Sequence, residues 1–126
     1  MMTYLAVLTL FILGALVVFQ LALILGAPIG KFAWGGQHTK LPQKLRVASI
    51  SSIALYVLFA AFIASKAELT EVIPHGTLLT AGMWVFTCYF LLGIPLNAIS
   101  RSKAERYTMT PVVTLLAVAF LLVSVA

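Results

Sequence analysis

The sequence predicts an all-α transmembrane protein, a four-helix bundle built from two similar helical hairpins. Hydrophobic residues make up 63% of its 126 residues and charged residues only 9%, whereas an ordinary soluble domain carries roughly 25% charged residues. The apolar residues also lie in four long blocks, without the stripes that amphipathic helices show. A soluble fold of this size would lack the polar groups to cover its exterior. We therefore expect residues 1–126 to form a single membrane domain.

The first apolar block runs from Tyr4 to Gly26, with Gln20 as its strongly polar residue. A helix needs about 20 apolar residues to cross roughly 30 Å of hydrocarbon, so this block is long enough to span. No basic residue precedes it, although a signal peptide would need one, and we expect the helix to stay in the mature protein. The second block, 47–65, lies between Arg46 and Lys66 and predicts the second span.

The third block, 78–99, is rich in Leu, Phe and Ile and contains Pro95. The fourth is short if it begins at Pro111, so we extend it back to Tyr107 and predict a helix over 107–126. Pro111 would then lie in the first turn, where a missing N–H costs nothing. Helices are the expected elements because open sheet edges cannot be satisfied in lipid and the blocks lack the alternation of barrel strands.

The connections between the blocks predict the orientation of the bundle. The first and third connections are basic, whereas the second holds Lys66 together with Glu68 and Glu71. By the positive-inside rule, the first and third connections face the cytoplasm and both termini lie outside. The same cations are candidate contacts for anionic lipid headgroups; they are Lys31, Lys40, Lys44, Arg46, Arg101, Lys103 and Arg106.

A repeated phrase indicates that the two hairpins are related. Residues 18–29, VFQLALILGAPI, match residues 85–96, VFTCYFLLGIPL, at five of twelve positions when the offset is 67 (95 minus 28). The helices that carry these phrases run in the same direction on the predicted topology. We therefore predict parallel repeats, 1–65 and 70–126, related by an axis along the membrane normal.

The phrase contains a glycine and a proline at matching places, Gly26 with Pro28 and Gly93 with Pro95. Glycine permits close backbone approach, and proline removes a donor and disfavours helix at the preceding residue. We expect each pair to kink or end its helix before the basic connection. The alternative is a broken helix that lines a ligand site.

Gln20 is the residue most in need of a polar partner, because an amide in hydrocarbon is costly without a hydrogen bond. Thr87 occupies the matching repeat position, and Tyr56 and Thr114 are further candidate contacts within the membrane. Interhelical hydrogen bonds of this kind average about 0.6 kcal/mol. We expect Gln20 to hold helices together, with a substrate contact as the alternative role.

Groups for catalysis are scarce in this sequence. All three acids lie in predicted connections, Cys88 is the one cysteine, and His38 and His75 fall on opposite sides of the predicted bilayer. An intramolecular disulfide is therefore excluded. Phosphate-binding glycine loops, nucleophile-elbow serines and His-Glu zinc patterns are also absent from the sequence. We expect neither an enzyme nor a cofactor or metal site.

Two connections carry a resemblance to other proteins. The phrases WGGQHTKLPQKLRVAS, from Trp34 to Ser49, and LNAISRSKAERYTMTP, from Leu96 to Pro111, resemble an uncharacterised family of small bacterial four-helix integral membrane proteins. In that family a Trp-Gly-Gly-x-His, Leu-Pro, Leu-Arg string follows helix one, and an Asn, Ser-x-Ser, Glu-Arg string follows helix three. The resemblance implies a multi-pass protein of the bacterial inner membrane and supplies no activity.

Two functional classes follow from these observations. The first is a structural or regulatory membrane protein that acts through helix or lipid contacts. The alternative is an oligomeric transporter or channel for an ion or small solute. The expected partners are the lipid bilayer and, in either class, a second copy of the chain or another membrane protein. Nucleic acid is not expected, because the basic residues flank membrane segments.

Overall fold

The computed structural model describes residues 2–126, and over this range it contains four long α-helices and no strand. The helices are α1 (Met2–Ile24), α2 (Gln43–Lys66), α3 (Thr77–Ala98) and α4 (Lys103–Val125). Each is long and apolar enough to cross a membrane. The predicted all-α class, with four helices of membrane-spanning length, is therefore confirmed. Met1, which opens the predicted domain and the first predicted repeat, lies outside the described residues.

The helices pack mainly against their neighbours in sequence. α1 packs against α2 and α3 against α4, while α4 closes the bundle against α1 and α2 contacts α3. α1 and α3 consequently occupy opposite corners of the bundle. Each hairpin is closely packed, and the two hairpins meet along two looser contacts, α1 with α4 and α2 with α3. This arrangement is compatible with a two-fold axis along the bundle.

Gly26 ends α1 as the sequence predicts. Its φ of 91° is left-handed, a conformation that favours glycine. The amide of Gly26 donates to the carbonyl of Leu23 at 3.1 Å, and that of Ala27 to the carbonyl of Ala22 at 2.9 Å. These two bonds form a Schellman motif that satisfies the last carbonyls of the helix. The last helical residue is Ile24, two positions before the predicted end.

Gly93 and Pro95 do not end α3, so of the two predicted effects, a kink or an end of the helix, the end is wrong at this phrase. The helix continues through both residues to Ala98. Pro95 removes a single donor, and its own carbonyl accepts from the amide of Ile99 at 3.0 Å. The side-chain amide of Asn97 also donates to the carbonyl of Gly93 at 2.9 Å. The repeated phrase thus has two different backbone structures.

α4 begins at Lys103, four residues before the predicted start, so the placement of Pro111 in the first turn is wrong. Ser102 caps the helix, and its hydroxyl accepts from the amide of Glu105 at 3.2 Å. This Ser-x-x-Glu spacing is a capping-box signature, which starts a helix in polar sequence before the apolar block. Pro111 therefore lies inside α4.

α2 and α4 project beyond α1 and α3 at the end where the first and third connections lie. α2 begins at Gln43 after the N-cap Pro42, four residues before the predicted start. Gly26, just past the end of α1, lies against Arg46, and Gly93 of α3 lies against Val113. From this antiparallel register, the first five residues of α2 and of α4, roughly 7.5 Å each, extend past their partners. We call this the basic end of the bundle.

The opposite half of the bundle is closed by a tight aromatic core. The ring of Phe59 lies 4.8 Å from those of Phe86 and Phe90, and Phe120 lies 5.0 Å from Phe90. Phe59 and Phe120 have no exposed surface. Edge-on and tilted ring pairs at these distances pack favourably. The half of the bundle nearer the second connection is thereby solid.

Candidate functional site

A cavity of about 450 Å³ lies between the two hairpins in the half nearer the basic end. All four helices and the first connection contribute to its walls. Cavities of roughly 300–1,000 Å³ with mostly apolar walls and a few polar groups are typical of small-molecule sites. Its aromatic lining consists of Phe19, Phe32, Trp34, Tyr56, Tyr89 and Phe90.

Gln20 and Tyr56 form the polar part of the cavity wall deepest in the bundle. The amide Nε2 of Gln20 donates to the Tyr56 hydroxyl oxygen at 3.5 Å. The Gln20 side chain is only 6% exposed, and its Oε1 has no hydrogen-bond partner among the described residues. A buried amide oxygen without a partner costs about 1–3 kcal/mol. Gln20 thus lines the cavity, and its buried Oε1 is an acceptor with its hydrogen bond unmade.

Glu105 lies at the mouth of the cavity, in the first turn of α4. Glu105 is 9% exposed, and its carboxyl Oε2 accepts a hydrogen bond from the backbone amide of Gly35 at 3.2 Å. Negative charge is stabilised at this position by the N-terminal end of the helix dipole. Among the cavity-lining residues of the described chain, Glu105 is the one acidic or basic residue.

The first connection folds into a roof over the cavity mouth. It consists of two single-turn 3-10 helices, Gly30–Phe32 and Trp34–Gly36. The Ser102 hydroxyl donates to the carbonyl of Lys31 at 2.5 Å, which joins this roof to the start of α4. The indole N–H of Trp34 donates to the hydroxyl of Ser49 at 3.3 Å and joins it to α2. The roof is therefore held by α2 and by the start of α4.

The cavity also reaches the outer surface of the bundle beside α3. Tyr89, Leu92 and Leu96 line it and are nevertheless 53%, 66% and 67% exposed. These residues lie on one face of α3, since their spacing is three and four positions. In a bilayer this face meets lipid, so the cavity is accessible from the side as well as from the basic end.

The other predicted intramembrane contacts lie elsewhere. Thr87 hydrogen-bonds across the hairpin to Ser124, with their hydroxyl oxygens 3.1 Å apart. The Thr114 hydroxyl instead donates to the carbonyl of Thr110 within α4, at 2.7 Å. Gln20 and Thr87, which match in the repeat alignment, thus each bond to the second helix of their own hairpin.

The seven predicted headgroup cations all lie at the basic end. Lys31 and Lys40 belong to the first connection, Lys44 and Arg46 to α2, and the remainder follow α3. Arg46 is partly occupied within the fold, because its Nε donates to the carbonyl of Leu41 at 2.9 Å. Arg106 is also half-buried, whereas the other five are exposed: Lys31, Lys40, Lys44, Arg101 and Lys103.

The two histidines lie in different connections. His38 is exposed in the first connection, at the basic end. His75 lies in the second, with its Nε2 4.0 Å from the Glu68 carboxylate, and both side chains are largely exposed. Across residues 2–126, no group of three His, Cys, Asp or Glu is placed to hold a metal ion.

Glu105 and Ser102 are site residues that the sequence interpretation did not select. Both were counted with the third connection, whereas the structure places Ser102 as the N-cap and Glu105 in the first turn of α4. The Ser-x-x-Glu spacing was the available signal for this helix start. The contact of Glu105 with Gly35 had no sequence signal, because the two residues lie 70 positions apart.

Comparison with known proteins adds no analogue for this site. No protein-family model, curated protein or solved structure matches this chain. The chemistry of the site is therefore argued from its own groups. An apolar cavity with an unpaired amide oxygen, a phenol hydroxyl and a carboxylate at its mouth can hold an amphiphilic molecule.

Proposed function

We propose that this chain is a small, non-enzymatic protein of the bacterial cytoplasmic membrane that acts through lipid contacts at its cytoplasmic end. In this proposal the basic end faces the cytoplasm, both termini face out, and the two hairpins are repeats of one ancestral unit. The protein would serve as a structural or regulatory component of the membrane. Its cavity would hold part of a lipid.

The observation that carries the proposal is the distribution of charge between the ends of the bundle. Seven of the eight Lys and Arg residues lie at the basic end, where Glu105 is the single acid and is buried. The other end carries Lys66 with Glu68 and Glu71. Each exposed cation near an anionic leaflet contributes about 1 kcal/mol of attraction. From this asymmetry we expect anionic lipid headgroups to be attracted to the basic end and not to the other end.

The two tryptophans provide a test, because they report on different levels of the bundle. Trp34 lies in the roof at the basic end, Trp84 lies in the half of α3 nearer the second connection, and each is 39% exposed. We would reconstitute the single-tryptophan variants Trp84→Phe and Trp34→Phe into vesicles. Quenching would be measured with phosphatidylglycerol or phosphatidylcholine brominated near the headgroup end of the acyl chains.

We expect brominated phosphatidylglycerol to quench Trp34 more strongly than brominated phosphatidylcholine does, and to quench Trp84 no more strongly. Replacing Lys40 and Lys44 by Gln should reduce the difference at Trp34, since both side chains are exposed cations. Raised salt should reduce it as well, because exposed charges are screened. Equal quenching of Trp34 by the two lipids would refute the proposal.

Transport remains the alternative, and the cavity is the observation that favours it. The aromatic core around Phe59 closes the path toward the second connection in this conformation. A single chain would therefore need to open that core, or several chains would need to share a path. Flux of a solute into proteoliposomes that Gln20→Leu abolishes would establish this class instead.

A further inference from the structure

We propose that the cavity is a binding site for an uncharged long-chain alcohol, such as a diacylglycerol or a polyprenol, with its hydroxyl between Gln20 and Tyr56. This inference rests on the proposed function, because it specifies which kind of lipid the protein contacts inside the bundle. The hydroxyl donates to Gln20 Oε1 and accepts from the Tyr56 hydroxyl. Its chain lies along the apolar walls and leaves beside α3.

The hydrogen-bonding groups at the cavity wall select for a hydroxyl. Gln20 Oε1 is a buried acceptor with no partner in the described chain. The Tyr56 oxygen accepts from Gln20 Nε2, a bond that leaves the Tyr56 proton for another acceptor. A hydroxyl group both donates and accepts, so it complements this pair and serves either orientation of the amide. An ether or an ester can only accept.

The charge at the cavity selects against an anionic headgroup. Glu105 is the one acidic or basic side chain among the cavity-lining residues in the described range. Its oxygens have one hydrogen bond, from Gly35, and no cation lies within 4.0 Å of it in residues 2–126. A phosphate inside the cavity would meet this carboxylate in a low-dielectric surrounding, where like charges repel strongly. The seven cations lie outside the cavity walls.

The shape of the cavity selects for a long apolar chain. The exposed surfaces of Leu92 and Leu96 on α3 join the cavity to the lipid-facing side of the bundle. An acyl or isoprenoid chain can therefore extend from the cavity into the bilayer without exposing itself to water. At the end of the cavity away from the roof, the rings of Phe59 and Phe90 lie 4.8 Å apart and close the bundle beyond the Gln20–Tyr56 pair.

The test is photolabelling in phosphatidylcholine nanodiscs with a diazirine-bearing hexadecanol, with the labelled residues located by peptide mass spectrometry. We expect labelling of cavity-lining residues. Unlabelled 1,2-dioleoylglycerol and a polyprenol would compete in separate arms, which identifies the preferred source of the hydroxyl. The methyl ethers of both competitors should be weaker by about three- to tenfold, the effect of one lost hydrogen bond to a buried acceptor.

The variants test the named residues. Gln20→Leu and Tyr56→Phe should each weaken labelling by about three- to tenfold. Thr87→Val is the matched control, because it removes the corresponding hydrogen bond of the other hairpin, to Ser124. It should label like the unchanged protein. Tyr56→Phe keeps the ring and so separates loss of the hydroxyl from loss of folding.

Two outcomes would overturn the inference. One is equal competition by the alcohols and their methyl ethers. The other is stronger competition by hexadecylammonium than by the alcohols, with that advantage lost in Glu105→Gln, which would make this a site for organic cations. Neither outcome changes the quenching of Trp34 by brominated phosphatidylglycerol. Failure of the alcohol site is therefore distinguishable from failure of the proposed function.

Discussion

Gly35 and Gly36 have similar positive φ angles and different surroundings, which makes them a matched pair for testing the roof. Their φ angles are 76° and 70°, and both lie in the left-handed region. A Cβ added at Gly35 would meet nothing within 4 Å. A Cβ added at Gly36 would lie 2.3 Å from the Cβ of Ser102. Alanine at either position has the same conformational cost, about 1–2 kcal/mol, but only Gly36→Ala forces the roof away from α4.

Separating the roof from α4 breaks two hydrogen bonds. These are Ser102 Oγ to the carbonyl of Lys31 and the amide of Gly35 to Glu105 Oε2. Each contributes about 1 kcal/mol net, so Gly36→Ala should cost about 2 kcal/mol more than Gly35→Ala. That difference corresponds to a locally open state at the start of α4 that is roughly 30-fold more populated.

Hydrogen exchange of the protein in nanodiscs, followed by mass spectrometry, measures this opening in peptides that cover residues 103–110. The double variant Gly36→Ala/Ser102→Gly removes the Cβ against which the new methyl group collides, but it also removes the hydroxyl that caps α4 and bonds to Lys31. It should therefore recover only the protection that the hydrogen bond between Gly35 and Glu105 contributes. Equal exchange in the two single alanine variants would refute the reasoning. So would a Gly36→Ala effect confined to the first connection.

The remaining predictions concern the orientation and the second hairpin. In a Cys88→Ser background, an impermeant maleimide applied to intact cells should label Glu71→Cys and leave Gln37→Cys unlabelled, because the proposed orientation places the basic end in the cytoplasm; the reverse pattern would invert the topology. Thr87→Val and Ser124→Ala should each lower the free energy of unfolding by about 0.6 kcal/mol. In a double-mutant cycle measured by denaturation in mixed micelles, the two effects should not add; full additivity would mean that the hydrogen bond between Thr87 and Ser124 contributes nothing.

The lengths of the helices were predicted well where the apolar blocks define them and poorly where polar sequence continues them. α1 and α3 depart from the predicted ranges by one or two residues. α2 and α4 both begin four residues earlier than predicted. Hydropathy detects the part of a helix that lies in lipid, whereas these first turns are fixed by caps and by the roof. Pro42 and Ser102 were the local signals for those starts.

The repeated Leu-Gly-x-Pro phrase shows how far a local pattern can be interpreted. Gly26 takes a left-handed conformation and ends α1, whereas Gly93 stays within α3. Both glycines are compatible with either conformation, because glycine has no Cβ to restrict it. The connection after α1 is long enough to fold back as a roof, and the connection after α3 spans only 99–102. The surroundings therefore decided between ending the helix and continuing it.

Part of the candidate site could likewise be predicted from the sequence, and the rest depends on the tertiary structure. Gln20 was recognisable from the sequence as a residue that needs a partner, and Tyr56 was among the candidate partners. The unpaired Oε1 and the position of both residues on a cavity wall depend on how the hairpins separate at the basic end. Glu105 was assigned to a connection, because its burial depends on Gly35 of a distant segment.

The sequence by itself determined that this chain has four apolar helices, with seven cations grouped between the first and second apolar blocks and between the third and fourth. The reason is that hydrocarbon length and charge are properties of contiguous residues, which a sequence displays directly. Only the tertiary structure decided that the aromatic side chains close one half of the bundle and leave a cavity in the other. Packing between α1, α2, α3 and α4 joins residues that are far apart in the chain, and no local pattern specifies how closely two hairpins approach.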